Sequence, residues 1–288
     1  MTVIKVPATS ANLGPGFDSI GIAVSLYLEL EIVEQAAEWF IEHSVGESIP
    51  SDEKNLIIQT ALEVADDLTP HHVKMRSDIP PARGLGSSSA AIVAGIELAN
   101  HLAGLNLSED EKVQIATRIE GHPDNVMPAI AGNLTFGTII DSNVIWTKVP
   151  FPKTRLIVTV PSRELLTSES RAVMPKNLSL QEAIKGSSIA NVMVSALHLG
   201  DIDTAGKLME EDVFHEPYRE SLIPELTKIR EITHEEGGYG TYLSGAGTTV
   251  MTLAKEEVSE NILNRIQSEF PDCDVFLTTI DTMGSRVE

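Results

Sequence analysis

Residues 80–91 read Pro80-Pro81-Ala82-Arg83-Gly84-Leu85-Gly86-Ser87-Ser88-Ser89-Ala90-Ala91, two glycines and three consecutive hydroxyls running into an apolar segment. Glycine lets the backbone come close to a ligand, and a helix starting behind such a loop aims its unpaired N–H groups at it. The chemistry that suits this spacing is anion binding, above all of a phosphate. It is not the Walker pattern, because no Gly-Lys-[Ser/Thr] follows. Gly/Ser-rich segments also precede many helices for purely local reasons. Helix amides stabilise an anion by only about 0.3–2 kcal/mol, so holding a nucleotide requires other groups to converge on the same place.

Several segments offer such groups. Pro7-Ala8-Thr9-Ser10-Ala11-Asn12-Leu13-Gly14-Pro15-Gly16-Phe17-Asp18 carries an amide and a carboxylate among turn formers. Glu120 closes a helix opened by the capping-box start Ser108-Glu109-Asp110-Glu111, and it shares a face with Val113 and Ala116. That face argues against a solvated acid, the commonest fate of a glutamate. Gly121-His122-Pro123-Asp124-Asn125 follows, and its Pro, Asp and Asn equally favour a plain turn. Arg171 and Arg219 carry forks that fit a carboxylate bidentately, although a lone arginine in an acidic chain is ordinarily a surface ion-pair partner. Ser88 alone reads also as a helix N-cap, and so does Asn55.

The elements that must position these groups follow from periodicity. A short strand is expected at Val3–Val6, followed by the loop Pro7–Asp18. Ile22, Val24, Leu26, Leu28, Leu30 and Ile32 alternate with polar or small residues, the period of a strand with one face on a core. A helix over 55–66, a strand over 72–77, a buried helix over 92–102 and the capping-box helix come next. Two strands near 133–140 and 143–149 close this half, and Pro150-Phe151-Pro152 marks the boundary between domains 1–150 and 151–288. In the second half a strand at 155–160 precedes helices at 180–199, 202–213 and 224–236. Strands at 239–243 and 248–253 flank the turn Ser244-Gly245-Ala246-Gly247, and a helix at 258–269 and a strand at 274–279 end the chain. Apart from inserted helices this is β-α-β-β-α-β, a split βαβ layout within an α+β fold.

The bulk numbers bound the function. With 288 residues and 42% hydrophobic content, the chain has ample length for a core. No apolar run is long enough for a membrane span, and Met1-Thr2-Val3-Ile4-Lys5 lacks a signal-peptide core. A single cysteine, Cys273, excludes an internal disulfide, and a cytoplasmic location is the default. Lys and Arg number 21 against 42 Asp and Glu, a formal charge of −21 that repels nucleic acid and anionic membranes. Neither is expected as a partner. If ATP binds, local dipoles, Mg²⁺ and a few arginines must overcome that field.

Three segments stand in fixed order: Pro7–Asp18, Pro80–Ala91, and Leu243-Ser244-Gly245-Ala246-Gly247-Thr248-Thr249-Val250. Their order and wording resemble the GHMP kinases, over the whole chain. The first motif, with Gly121-His122-Pro123-Asp124-Asn125-Val126, looks like the homoserine kinase branch rather than the lysine-containing Ala-Pro-Gly-Lys type. One departure is Thr248, where the family often has proline; threonine can still adopt the turn.

The resemblance implies a two-domain fold, with an N-terminal ribosomal-protein-S5-domain-2-like, ATP-binding half and a C-terminal ferredoxin-like half. It implies transfer of the ATP γ-phosphate to the side-chain hydroxyl of L-homoserine, a step of threonine biosynthesis. ATP would lie on Pro80, Pro81, Ala82, Arg83, Gly84, Leu85, Gly86, Ser87, Ser88, Ser89 and Ala90, with Asn55 at the adenine and Mg²⁺ on Ser88 and Glu120. Asn12 would take the substrate hydroxyl, Asp18 the ammonium, and Arg171 and Arg219 the carboxylate. His122 and Asn125 would line the pocket, with Asp124 structural. Asn12, Asp18, Ser88 and Glu120 form the expected catalytic set, with no obvious general base. A homodimer is implied by the resemblance alone. Two alternatives stay open: another small-molecule kinase of the family, of shikimate or mevalonate type, and a nucleotide-binding sensor without turnover.

Overall fold

The computed structural model describes residues 2–46 and 49–288. The chain runs β1 (Thr2–Ala11), β2 (Ile20–Gln35), β3 (Phe40–Glu42), α1 (Leu56–Val64), β4 (His71–Ser77), α2 (Ser87–Ala103), α3 (Glu109–Glu120), α4 (Val126–Ala131), β5 (Leu134–Ile140) and β6 (Asn143–Val149). It continues as β7 (Arg155–Pro161), α5 (Thr167–Ala172), α6 (Leu180–Leu199), α7 (Ile202–Met209), α8 (Glu216–Arg219), a 3₁₀ turn, α9 (Glu225–Glu235), β8 (Gly240–Leu243), β9 (Val250–Ala254), α10 (Glu256–Glu269), β10 (Cys273–Thr278) and β11 (Arg286–Val287).

The long strand β2 organises the first sheet. It pairs antiparallel with β1 along one edge, and on the other with β5 through Ile20–Ile22 and with β4 from Leu28 onward. The expected loop from Pro7 is in fact strand as far as Ala11, because the register shift between Pro7 and Ala8 absorbs the proline's missing N–H. In the second sheet the order is β10-β7-β9-β8, all antiparallel, which is the 4-1-3-2 order of a split βαβ unit.

Strand β7 shows how the layers join. Leu156, Val158 and Val160 face a large core shared with Ile4, Val6 and Leu30 of the first sheet, while Ile157 points into a smaller core with Ile229 of α9 and Ile262 and Ile266 of α10. One apolar core therefore runs across both sheets. The stretch near 150 links β6 to β7, yet the chain end returns: β11 pairs with β1, and the Asp281 N–H donates to the Ala23 carbonyl at 3.0 Å.

Some expected spans change. The buried helix starts at Ser87 rather than Ile92, so the serines belong to its first turn. The helix from Ile202 ends at Met209 rather than near Val213, because Asp212 accepts N–H bonds from Phe214, His215 and Glu216 and starts a new turn. The short elements β3, α4, α5, α8 and β11 lack the length for a periodic signal. Among the described residues, no helix is long and apolar enough to cross a membrane.

Candidate active site

The three motifs meet backbone to backbone. Thr9 N–H donates to the Leu85 carbonyl at 3.2 Å, Thr249 N–H to that of Arg83 at 2.9 Å, and Gly245 N–H to that of Ala11 at 3.1 Å. A buried hydroxyl chain adds to them. Ser244 Oγ donates to the Gly84 carbonyl at 2.6 Å, so it accepts from Ser10 Oγ at 2.7 Å, which in turn accepts from Tyr242 OH at 3.0 Å. Burial raises the Tyr242 hydroxyl above its ordinary pKa and keeps it a donor. Gly84 and Gly86 have φ of +82° and +66°, and a Cβ would lie 2.4 Å from the Ser244 carbonyl and 2.0 Å from Thr9 Oγ1 respectively. Glycine is needed at both by conformation and by space. Thr248, at the departing position, donates its hydroxyl to the Arg163 carbonyl at 3.2 Å, and the turn keeps its Gly247 N–H to Ser244 bond.

Gly86 is the N-cap of α2 and supplies no side-chain cap, so no side chain takes the helix's first amides. This corrects the N-cap reading of Ser88. The Ser88 and Ser89 hydroxyls donate instead to the two oxygens of Glu120, at 3.2 and 3.0 Å. Glu120 ends α3, whose capping box at Ser108 and left-handed Gly121 place the carboxylate beside α2. The result is an oxygen-only donor set at the mouth of a phosphate-type loop, which fits a hard cation such as Mg²⁺.

Opposite lies a charged wall. Asn12 is buried, donates Nδ2 to the Gly245 carbonyl at 3.0 Å and accepts the Asp18 N–H at 3.1 Å. Both Asp18 oxygens meet the Arg171 fork, at 2.7 and 3.2 Å. Arg219 is buried, giving Nε to the Ser170 carbonyl at 3.3 Å and Nη1 to the Gly245 carbonyl at 3.0 Å and to His215 Nδ1 at 3.1 Å. Burial, with the nearby charge of Arg171, lowers the Arg219 pKa to about 10, which leaves it charged at neutral pH. Burial also lowers His215 to about 4, so its ring is neutral. Nε2–H then donates to the Gly14 carbonyl at 2.9 Å, and Nδ1 is free to accept from Arg219. Phe17 stacks on His215 and lies 5.5 and 5.3 Å from the guanidinium carbons of Arg171 and Arg219.

Between the two walls, Asp124 orders the 121–126 turn. It accepts from His122 Nδ1 at 2.7 Å and from Asn125 Nδ2 at 3.3 Å, while Asn125 Oδ1 accepts from Thr9 Oγ1 at 2.8 Å. Burial disfavours charge on His122, but the hydrogen bond and charge of Asp124, with Glu120 and Asp18, outweigh it and raise its pKa. Ligating atoms of Asp18, His122 and Asp124 lie within 4.8 Å of one another. The guanidinium already on Asp18 disfavours a second cation there.

These side chains line a cleft of about 280 Å³. A second, apolar hollow of about 310 Å³, walled by Val45, Met75, Ile79 and Pro81 among others, shares Ser87 and Ser88 with it. A flat apolar group in one and a polyphosphate in the other would meet at the start of α2.

The pattern described as GHMP kinases N terminal domain matches residues 55–133, and that described as GHMP kinases C terminal matches residues 193–272. The chain belongs to the GHMP kinases. Homoserine kinase of Listeria innocua is 54% identical over 284 residues, and that of Streptococcus thermophilus 53% over 285, each match covering 99% of both chains. A solved homoserine kinase structure from Listeria monocytogenes superposes with a TM-score of 0.91 at 48% identity, covering 100% of this chain and 99% of that one. The homoserine kinase of Cytophaga hutchinsonii gives 0.88 at 25%, covering 100% and 97%.

Of the residues expected from the sequence of this GHMP kinase, Asn12, Asp18, Ala82, Gly84, Gly86, Ser87, Ser88, Ser89, Glu120, His122, Asn125, Arg171 and Arg219 converge on the cleft. Asn55 and Pro81 line the apolar hollow. Asn55 is also the N-cap of α1, with Oδ1 on Ile57 N–H at 3.0 Å and Nδ2 on the Pro50 carbonyl at 2.7 Å, so its amide is committed locally. Pro80, Arg83, Leu85 and Ala90 line neither. Leu85 and Ala90 point into the core, and Arg83 turns away to the Ser162 carbonyl at 2.6 Å and Glu164 at 3.5 Å. Sequence reasoning missed His215, Phe17 and Ser170. The i, i+4 spacing of His215 and Arg219 was the one available signal.

Proposed function

We propose that this GHMP kinase is a homoserine kinase, transferring the γ-phosphate of ATP to the side-chain hydroxyl of L-homoserine and yielding O-phospho-L-homoserine and ADP. The observation that carries this reading is one cleft with a phosphate-type helix start and Glu120 on one wall, and Asp18, Arg171 and Arg219 on the other. Homoserine has the matching ends: a hydroxyl to reach the phosphate, an ammonium for Asp18 and a carboxylate for the arginines. Full-length relatives at 54% and 53% identity that bear this name support it.

Phosphoryl transfer asks the protein mainly for positioning and charge neutralisation. The amides of Gly84–Ser89 would hold the phosphates, and the apolar hollow the adenine. Mg²⁺ on Glu120 and Ser88 would neutralise phosphate charge. Asn12, expected at the substrate hydroxyl, is buried with its amide engaged by Gly245 and Asp18, so its role becomes to frame the backbone that presents Asp18 to the ammonium. Asp18 cannot hold the ammonium and also act as a base. We therefore favour transfer without a dedicated base: the oxygen–phosphorus bond forms, the bond to ADP breaks, and the proton passes to a phosphoryl oxygen. A large loss of kcat in Asp18→Asn with an unchanged homoserine KM would overturn that part. The product belongs to threonine biosynthesis; we expect a cytoplasmic enzyme, read by cell fractionation, and a homodimer, read by light scattering.

The test is ADP release from Mg-ATP in the presence of homoserine, shikimate or mevalonate. Homoserine alone should stimulate it, and no response to homoserine defeats the proposal.

A further inference from the structure

Resting on that reading of the cleft, we infer that the Asp18–Arg171 ion pair selects for a zwitterion by partner exchange. The two groups meant for opposite ends of the substrate satisfy each other, with both guanidinium nitrogens on both carboxylate oxygens. A ligand that takes the paired edge of either group separates the pair. A ligand with an ammonium and a carboxylate replaces both lost contacts. A ligand with only one of these charges leaves the other group without its partner, a loss of about a few-fold in use for a pair this exposed.

Two features make the exchange workable. Side-chain exposures of 35% for Asp18 and 40% for Arg171 mark a solvent-reachable pair, whose opening costs little when both partners are replaced. Arg219 offers no easy bypass for a lone carboxylate. Its Nε and Nη1 are committed to Ser170, Gly245 and His215, and only Nη2 lacks a partner among the described residues. The Arg171 edge that now holds Asp18 opens to a ligand carboxylate when the pair separates. The helix carrying Arg171 stays in place meanwhile, because Ser170 Oγ donates to the Ala246 carbonyl at 2.7 Å.

The exchange makes an unusual demand: deleting either partner must improve the use of the opposite half-substrate. The experiment measures kcat/KM with Mg-ATP for homoserine, 4-hydroxybutyrate (no ammonium) and 3-aminopropan-1-ol (no carboxylate). Wild type, Asp18→Asn and Arg171→Gln are compared. Asp18 has φ of +55°, a backbone that asparagine accepts readily, and Arg171 is exposed on a short helix, so both variants should fold. Asp18→Asn should lower homoserine use roughly 10- to 100-fold and raise 4-hydroxybutyrate use about fivefold. Arg171→Gln should lower homoserine use similarly and raise that of 3-aminopropan-1-ol. Failure of wild type on homoserine defeats the proposed function itself. Normal wild-type turnover with no gain for either half-substrate overturns the exchange and leaves that function standing.

Discussion

Nδ1 of His215 accepts a hydrogen bond from Nη1 of Arg219 at 3.1 Å, one helical turn further along the chain. The bond requires a neutral imidazole, and burial supplies it by lowering the pKa to about 4. Arg219 is thereby held in place from behind while part of its fork faces the cleft. Replacing His215 with Ala removes this acceptor, the tie to Gly14 and the stack on Phe17. The homoserine KM should rise at least about tenfold, with kcat and the ATP KM little changed. His215→Asn, which keeps an acceptor near Nδ1, should recover part of the loss in steady-state kinetics.

Two buried neighbours give opposite responses to acid. Unfolded His215 takes up a proton near its ordinary pKa of 6.5 and the folded side chain only near 4, so stability is lost as pH falls through that window. Glu216 behaves inversely. Burial pushes it up to about 7, against the charge of Arg230 and the Leu243 N–H, so the folded protein takes up that proton first and gains stability as pH falls from 7 toward 4.5. Thermal unfolding at pH 7 and pH 5 should show a steeper acid loss in Glu216→Gln and a shallower one in His215→Gln.

Glu120 receives both the Ser88 and the Ser89 hydroxyls. Glu120→Gln keeps the shape and removes the charge, and should lower kcat roughly 10²- to 10³-fold while raising the Mg²⁺ concentration needed for half activity. Ser88→Ala should do less, because Ser89 still reaches the carboxylate, and should harm kcat more than the melting temperature. Equal losses of activity and stability in Ser88→Ala would mark a purely structural serine.

The hydroxyl chain from Tyr242 through Ser10 and Ser244 to the Gly84 carbonyl is directional. Tyr242→Phe removes only the first donor and should cost about 0.5–1.5 kcal/mol. Ser10→Ala strands the buried Tyr242 hydroxyl and cuts the chain, so it should cost more, on the order of 1–3 kcal/mol. Because the chain ends on the phosphate loop, urea unfolding and the ATP KM should worsen in the same order.

The features that hold locally are the β2 alternation, the capping box at Ser108 and a glycine loop that leads into a helix, although its serines lie in that helix's first turn and not before it. Such signals arise between residues within a turn or two of each other, where backbone conformation and hydrogen-bonding capacity are properties of the local sequence. The motif string could not say which way each of its side chains faces. Leu85 and Ala90 pack into the core and Arg83 reaches to β7's far end, because burial against the rest of the molecule decides orientation. Nor could it show the pairings that make the cleft. Asp18 and Arg171 are 153 residues apart and Ser10 and Ser244 are 234 apart, so no periodicity links them. His215 is polar by composition and becomes a neutral acceptor only when packing removes water from it. The sequence by itself determined that a phosphate is handled; the shared core that brings both sheets together decided which charges face it.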